Sequence, residues 1–351
     1  MKTYRTRIFR IDENNLEEAI AEAAAIIKEG GTVAFPTETV YGLGADALNP
    51  EAVKAIFQAK GRPADNPLIV HVSSKEQCES LVKNISDKAV LLMNIFWPGP
   101  LTLIMERKQV VPDITTGGLD TVALRMPDNK VAMELIKCSG KAIAAPSANR
   151  SGKPSPTTAE HVISDLDGRI DVVIDGGPVI VGVESTVIDM TTEPPAILRP
   201  GMVSQQDIEN EIGSVDIGYD DKVHPDNKEV RSPGMKYTHY SPDANVILVE
   251  GNNENVTKKI SQMFSDFQMR GAKIGLLLTE ESAKHFVSKE IFSLGRKDKP
   301  EETASSLFFG LRYMDEKKVD VILVDGSFSH LGVGAAVSNR IRKAAEMIIK
   351  V

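Results

Sequence analysis

The sequence predicts an α/β protein of two domains: a larger one built on a twisted mixed sheet, then a smaller one built on parallel strands. Three observations carry this expectation. Short apolar runs of strand length alternate with amphipathic helical stretches as far as about residue 212. Residues 214–243 then lose their aliphatic content and gather Pro and Gly, the composition of a linker. Beyond them apolar runs and helical stretches return. A chain of 351 residues is long enough for one to three domains with a substantial core. The expected limits are 1–212, a linker at 213–243, and 244–351.

The elements follow in order. "NLEEAIAEAAAIIKEGG" reads as an amphipathic helix stopped by Gly30 and Gly31. "TVAFPTETVYG" reads as strand, turn and strand. "NPEAVKAIFQAKG" is a helix with Asn49 as its N-cap and Pro50 in its first turn. "PLIVHV" is a strand, and "SDKAVLLMNIFWPG" is a helix ended by Pro98 and Gly99. "LTLIME", "TVALRMP" and "AIAAPSAN" are strands, with a helix over "NKVAMELIKCSG" between the last two. "DVVIDGG", "STVIDM" and "AILRPG" are strands as well. After the linker, "NVILVEG", "KIGLLLTE" and "VDVILVDG" are buried strands, with helices over "ETASSLFFGLRYMDEKK" and "GAAVSNRIRKAAEMIIK". "GVGAAV" at 332–337 has a glycine pattern without the acidic residue about 20 positions on that a dinucleotide site needs, so it reads as close helix–sheet packing.

Composition excludes several classes. The net charge of −8 disfavours a general polyanion binder. Cys78 and Cys138 form no CxxC or Cys/His cluster, so no zinc site is expected and a reducing cytoplasm fits. The first residues lack the apolar core of a signal peptide. No apolar run approaches the roughly 18–20 residues of a membrane span.

Four segments concentrate small polar residues and cations at strand ends. "PTETVYGLG" crowds threonines, a carboxylate and a tyrosine into a turn; a hydrogen-bonded hairpin explains it equally well. "KGRPADNPLIVH" places Lys60 and Arg62 ahead of a strand, where Pro63 and Pro67 forbid a helix, and adds Asn66 and His71 as donors. Arg and Lys there suit phosphate; His71 also reads as a satisfied strand-end histidine. Arg125 interrupts an apolar strand, which is costly unless it faces an anion or snorkels from an edge. "APSANRSGKPSPT" offers Ser147, Asn149, Ser151 and Ser155 in a loop that suits phosphate or is simply polar. Ser185, Thr186 and Arg199 follow later. No segment pairs a nucleophile with a general base, and there is no acidic metal cluster. The inventory suits a site that binds a nucleotide and a small anion and acts by placement and charge neutralisation.

"KGR" at 60–62 followed by "SAN" at 147–149 resembles the KxR…SxN signature of the YrdC-like family. "FPTETVYGLG", "WPGPLT", "ESTVID" and "RPG" fall in that family's order, and "SPGMKYTHYSP" at 232–242 resembles its longer form, the threonylcarbamoyl-AMP synthases. The resemblance implies a YrdC-like twisted open sheet with a mostly positive concave face and a Rossmann-like C-terminal domain. It implies formation of L-threonylcarbamoyl-adenylate and pyrophosphate from L-threonine, bicarbonate or carbon dioxide, and ATP with Mg2+. The product would go to tRNA-modifying proteins, with no direct tRNA binding and no membrane. Thr39, His71, Arg125, Ala145 and Ser185 would line a threonine pocket. Arg62, Asn66, Thr121, Ser147, Asn149, Ser155, Arg199 and Tyr240 would contact ATP. Lys60 and Arg62 would be the catalytic cations, no residue a metal ligand, and "RSPGMKYTHYSP" a lid. Two other readings are weighed. A carbamoyl transferase of hydrogenase maturation would carry zinc-finger cysteines absent here, and an RNA-binding module conflicts with the net charge of −8.

Overall fold

The computed structural model describes residues 5–12, 14–219 and 240–351, so most of the expected linker and lid, including Arg231, Lys236, Tyr237 and His239, lies outside the described residues. The chain divides into two compact units. The first takes in the chain up to Ser151, Pro156–Ile180 and the chain from Glu184 onward; the second takes in Gly152–Ser155, Val181–Val183 and the C-terminal chain to Val351.

In the first unit the elements run β1 (Arg7–Arg10), α1 (Leu16–Lys28), β2 (Val33–Phe35), β3 (Gly42–Asp46), α2 (Pro50–Lys60), β4 (Ile69–His71), α3 (Lys75–Leu81), α4 (Asp87–Phe96), β5 (Leu101–Glu106), α5 (Asp113–Thr116) and β6 (Thr121–Arg125). They continue with α6 (Lys130–Ser139), β7 (Ile143–Ala144), α7 (Ala159–Leu166), β8 (Val172–Asp175), β9 (Thr186–Asp189), β10 (Ala196–Arg199), α8 (Gln205–Ile212) and β11 (Asp216–Ile217). The strands form one mixed sheet in the order β1-β8-β2-β3-β7-β4-β6-β5-β9-β10-β11.

Local chemistry sets α2 as the sequence predicts. The Asn49 side chain accepts from the N–H groups of Glu51 and Ala52, Pro50 opens the helix, and Gly61 closes it at φ 63° in the left-handed region. This stop leaves Lys60 in the last turn and turns the chain so that Arg62 starts the approach to β4.

The middle of the sheet has two different faces. Successive strand residues alternate sides, and paired residues share a side. Val70, Leu103, Leu124, Ile188 and Ile197 point into the main core with α2 and α4 residues such as Ile56 and Leu92. Ile69, Ile104, Ala123, Val187 and Leu198 form a small separate apolar cluster on the opposite face. The register Ile69↔Ala123 and Ile104↔Ala123 fixes that grouping. A further core packs α1 and α6 against the sheet through Ile20, Ile27, Leu135, Phe35 and Ile174; each such side chain contributes about 1.5–3 kcal/mol by burial.

The second unit contains β12 (Asn245–Glu250), α9 (Asn253–Met269), β13 (Ile274–Leu278), α10 (Glu280–Ala283), β14 (Ile291–Ser293), α11 (Pro300–Glu316), β15 (Val321–Gly326), α12 (Val333–Ala344) and β16 (Met347–Lys350). All strands are parallel, in the order β14-β13-β15-β12-β16. The helix read through "EMIIK" stops at Ala344, and Met347–Lys350 pairs in parallel with β12. A short β-branched run next to an open strand edge gains ladder hydrogen bonds that helical extension would not supply. The "GVGAAV" loop is tight packing: a Cβ on Gly334 would lie 1.7 Å from the Ser329 carbonyl oxygen.

Candidate active site

The site grows from the face of the first sheet that carries the small apolar cluster. β4 and β6 are parallel, with His71 opposite Arg125. Alternation puts Thr121, Ala123 and Arg125 on one side of β6, with Ile69 and His71 beside them on β4. Thr102 and Arg199 share this side through their pairings with Val187. The apolar floor is therefore edged by His71, Arg125, Thr102 and Arg199.

Arg125 is 3% exposed. Its Nε donates to the Gly99 carbonyl at 3.2 Å and its Nη1 to Thr39 Oγ1 at 2.9 Å. Thr39 is held in turn by Thr37, whose Oγ1 lies 2.9 Å from Thr39 Oγ1 and donates to the Val40 carbonyl at 2.6 Å. The "PTET" turn between β2 and β3 thus serves the guanidinium as well as the hairpin. Nη2 of Arg125 lies 2.7 Å from Glu38 Oε2, but the pair does not meet hydrogen-bond geometry. A guanidinium in this setting needs an anion, and the sequence reading of Arg125 missed that the chain carries one itself.

His71 is buried, and its Nδ1 has no hydrogen-bond partner among the described residues. Burial first, and the Arg125 charge second, lower its pKa to about 3. The imidazole is therefore neutral at ordinary pH. It can exchange a hydrogen bond without adding charge.

Ser185 precedes β9 and is fixed by three contacts. Thr102 Oγ1 is 2.8 Å from its Oγ, Arg199 Nη2 donates to Oγ at 3.0 Å, and Arg199 Nε donates to its carbonyl at 3.0 Å. The Thr186 N–H donates to the Pro100 carbonyl at 3.0 Å, next to the Gly99 that receives Arg125. Arg125, Ser185 and Arg199 are thereby linked through the "WPGP" turn. Ala145 joins them from the other side: its N–H donates to the Ile69 carbonyl at 2.9 Å.

Lys60 is 3% exposed, and its ammonium donates to the carbonyls of Ser147 at 2.5 Å and Asn149 at 2.6 Å. The Ser151 N–H returns a bond to the Lys60 carbonyl at 2.9 Å. The two halves of the signature, "KGR" and "SAN", are thus bound to each other. Ser147 Oγ donates to Asn149 Oδ1 at 2.5 Å, so Asn149 shapes this loop. Arg62 follows Gly61, with its Nη2 3.5 Å from the Pro67 carbonyl.

Asn66 is fully buried, and neither its Nδ2 nor its Oδ1 has a hydrogen-bond partner among the described residues. An unmet buried amide costs about 1–3 kcal/mol per group. Asn66 stands just ahead of β4, and Thr121 opens the neighbouring β6. The nucleotide candidates Asn66 and Thr121 thus mark one end of this strand pair, and the threonine candidates His71 and Arg125 the other. Ser155 and Tyr240 belong to the second unit, where Tyr240 has φ 67° and stacks on Phe308 at 5.1 Å.

A family model described as "Telomere recombination" (Sua5_yciO_yrdC) matches residues 25–201. A second, described as "Threonylcarbamoyl-AMP synthase, C-terminal domain", matches residues 203–346. The threonylcarbamoyl-AMP synthase of Pyrococcus abyssi is 51% identical over 352 residues, covering 99% of this chain and 100% of that one. The chain belongs to the threonylcarbamoyl-AMP synthase family. The Bacillus subtilis threonylcarbamoyl-AMP synthase is 48% identical, with 98% of each chain covered. A crystal structure of P. abyssi Sua5 complexed with L-threonine matches with a TM-score of 0.92 at 50% identity, over 99% of this chain and 100% of that one.

Within the threonylcarbamoyl-AMP synthase framework, the residue that sequence reading left unassigned is Glu38. It was visible as the carboxylate of the "PTET" turn. Its meaning depends on Arg125, which lies far along the chain and reaches it only through the sheet.

Proposed function

We infer that the protein makes L-threonylcarbamoyl-adenylate and pyrophosphate from L-threonine, bicarbonate or carbon dioxide, and ATP. In class it is a nucleotidyltransferase that feeds threonylcarbamoyladenosine formation in tRNA. The single observation that best supports this is Arg125, a guanidinium 3% exposed, clamped by Thr39 and Gly99 and beside a neutral His71. A fixed cation in a dry setting binds a carboxylate far more strongly than one in water.

In this reading Arg125 takes the amino acid's carboxylate, with Thr39, His71, Ala145 and Ser185 around it. The free amine adds to carbon dioxide, forming a C–N bond and releasing a proton. The resulting carbamate oxygen attacks the α-phosphorus of ATP, and the bond to pyrophosphate breaks. The chain's part is to hold the two anions in line and to offset their charge. Arg62, Asn66, Thr121, Ser147, Asn149 and Arg199, all of the first unit, are assigned to the nucleotide. Arg62 faces phosphate directly. Lys60 acts by holding the Ser147–Asn149 loop in place and by its charge.

Among the described residues, no group of three or more His, Cys, Asp or Glu is gathered to hold a metal. Magnesium enters this proposal with ATP, held by phosphates and water. No helix among the described residues is long and apolar enough to cross a membrane. We assign the activity to the cytoplasm, with the product passed to tRNA-modifying proteins and no direct tRNA contact, in line with the net charge of −8.

The test is pyrophosphate release by the purified chain with ATP, Mg2+, L-threonine and bicarbonate. Release that needs both threonine and bicarbonate is expected. Equal release with threonine left out overturns the reading.

A further inference from the structure

Glu38 has no role in the assignments above. It sits in the turn between β2 and β3 and is 8% exposed. Its Oε2 is 2.7 Å from Arg125 Nη2, close enough for full charge attraction. Even so, neither carboxylate oxygen of Glu38, nor Nη2 of Arg125, has a hydrogen-bond partner among the described residues. The other Arg125 nitrogens are engaged by Thr39 and Gly99.

This is an unusual state for buried charge. An ionised carboxylate offers about four acceptor positions, and a guanidinium nitrogen offers two directed protons. Buried ion pairs are normally completed by further hydrogen bonds, since attraction alone barely offsets the loss of hydration. Here an acceptor-only group and a donor-only group stand side by side, each with its directional capacity unmet. A ligand with a cationic donor and an anionic acceptor close together meets both, each by a charge-assisted bond. The zwitterion of the α-amino acid proposed above has that form.

We propose that Glu38 receives the α-ammonium of the amino-acid substrate while Arg125 Nη2 receives its carboxylate. The proposal rests on the threonine reading of this site. It makes Glu38 the residue that separates α-amino acids from α-hydroxy acids. A hydroxy acid puts one weak donor where the ammonium puts three charged ones, and leaves the carboxylate under-bonded. Holding the ammonium against Glu38 also fixes the nitrogen's position before it loses its proton.

The test uses the full chain without ATP and two probes: L-threonine, and 2,3-dihydroxybutanoate, which has the same skeleton with a hydroxyl in place of the ammonium. Affinities are read by titration calorimetry. The unmodified protein is expected to prefer threonine by at least about tenfold. Glu38→Gln is expected to lose threonine affinity by at least about tenfold while holding the hydroxy acid within roughly threefold. Glu38→Asp keeps the charge and should retain part of the preference. If the unmodified protein binds both probes equally, the proposal fails without any variant. If Glu38→Gln weakens both equally, Glu38 only balances Arg125, and the proposal fails while the threonine reading stands. If the unmodified protein binds the hydroxy acid but not threonine, the threonine reading itself falls, and this proposal with it.

Discussion

Arg199 holds Ser185 at two points, donating from Nε to its carbonyl and from Nη2 to its Oγ, both at 3.0 Å. Two residues after Arg199, Gly201 lies against the same segment: a Cβ there would be 2.2 Å from the Thr186 nitrogen and 2.6 Å from the Ser185 carbonyl carbon. Backbone cannot yield at those distances. Gly201→Ala should therefore displace Ser185 from Thr102 and Arg199. We expect a loss of about 1–3 kcal/mol in denaturant unfolding and a raised KM for threonine in the pyrophosphate assay. An unchanged KM would show that Ser185 does not line the amino-acid pocket.

Arg125→Ala removes the proposed carboxylate partner and leaves Glu38 buried without its counter-charge. Breaking one side of a buried pair costs about 3–5 kcal/mol. Adding Glu38→Ala to that variant should recover much of the stability and none of the threonine binding. Denaturant melts of both variants, with threonine titrations, check the two halves separately.

Asn66 should divide stability from binding. Its amide has no hydrogen-bond partner among the described residues, so Asn66→Leu, of similar shape, replaces an unmet polar group by an apolar one. Such replacements are neutral or stabilising. The melting temperature should hold or rise while the KM for ATP rises by about tenfold. A fall in stability with an unchanged KM would remove Asn66 from the nucleotide site.

Protonation of His71 should weaken the fold in mild acid. The folded imidazole stays neutral down to about pH 3, whereas an unfolded one takes its proton near pH 6.5. Between those values the unfolded chain binds more protons, so stability falls as the pH drops. The slope is at most about 1.4 kcal/mol per pH unit. His71→Asn should flatten it. Unfolding free energies of both proteins at pH 7 and pH 5 provide the comparison, in a range where most carboxylates stay charged.

Lys60→Met should loosen the loop that the ammonium holds. The carbonyls of Ser147 and Asn149 lose their shared donor, a cost of about 1.5–3 kcal/mol for bonds to a charged group. Hydrogen exchange should rise at 147–151 and pyrophosphate release should fall. Exchange there at the native rate would contradict a structural role for Lys60.

What the sequence disclosed was local. Asn49 and Pro50 open α2 by contacts within a few residues, as the sequence predicts. Arg125 is visible as a charge inside an apolar strand, and the other cations and polar residues as clusters at strand ends and in loops. Pairing was less visible. β1 is four residues with two arginines and little burial, so nothing in its composition announces a strand; it exists because Ile8 and Phe9 find Val173 and Ile174 across the sheet. α9 has a largely polar sequence and buries only Val256, Ile260 and Met263, too few to stand out. β16 reads as helix in the sequence because its partner β12 lies about a hundred positions earlier. Glu38 stayed without a role for the same reason.

The run of β6 from Thr121 to Arg125 sets a span of about 13 Å at strand rise between the two ends of the site. That span belongs to the rigid middle of a sheet and exists before any molecule arrives. In the function proposed above it works as a measuring rod: a compound that satisfies the Arg125 end alone leaves the Thr121 end in want of company, and a pair of reactants laid head to tail fills the whole gauge.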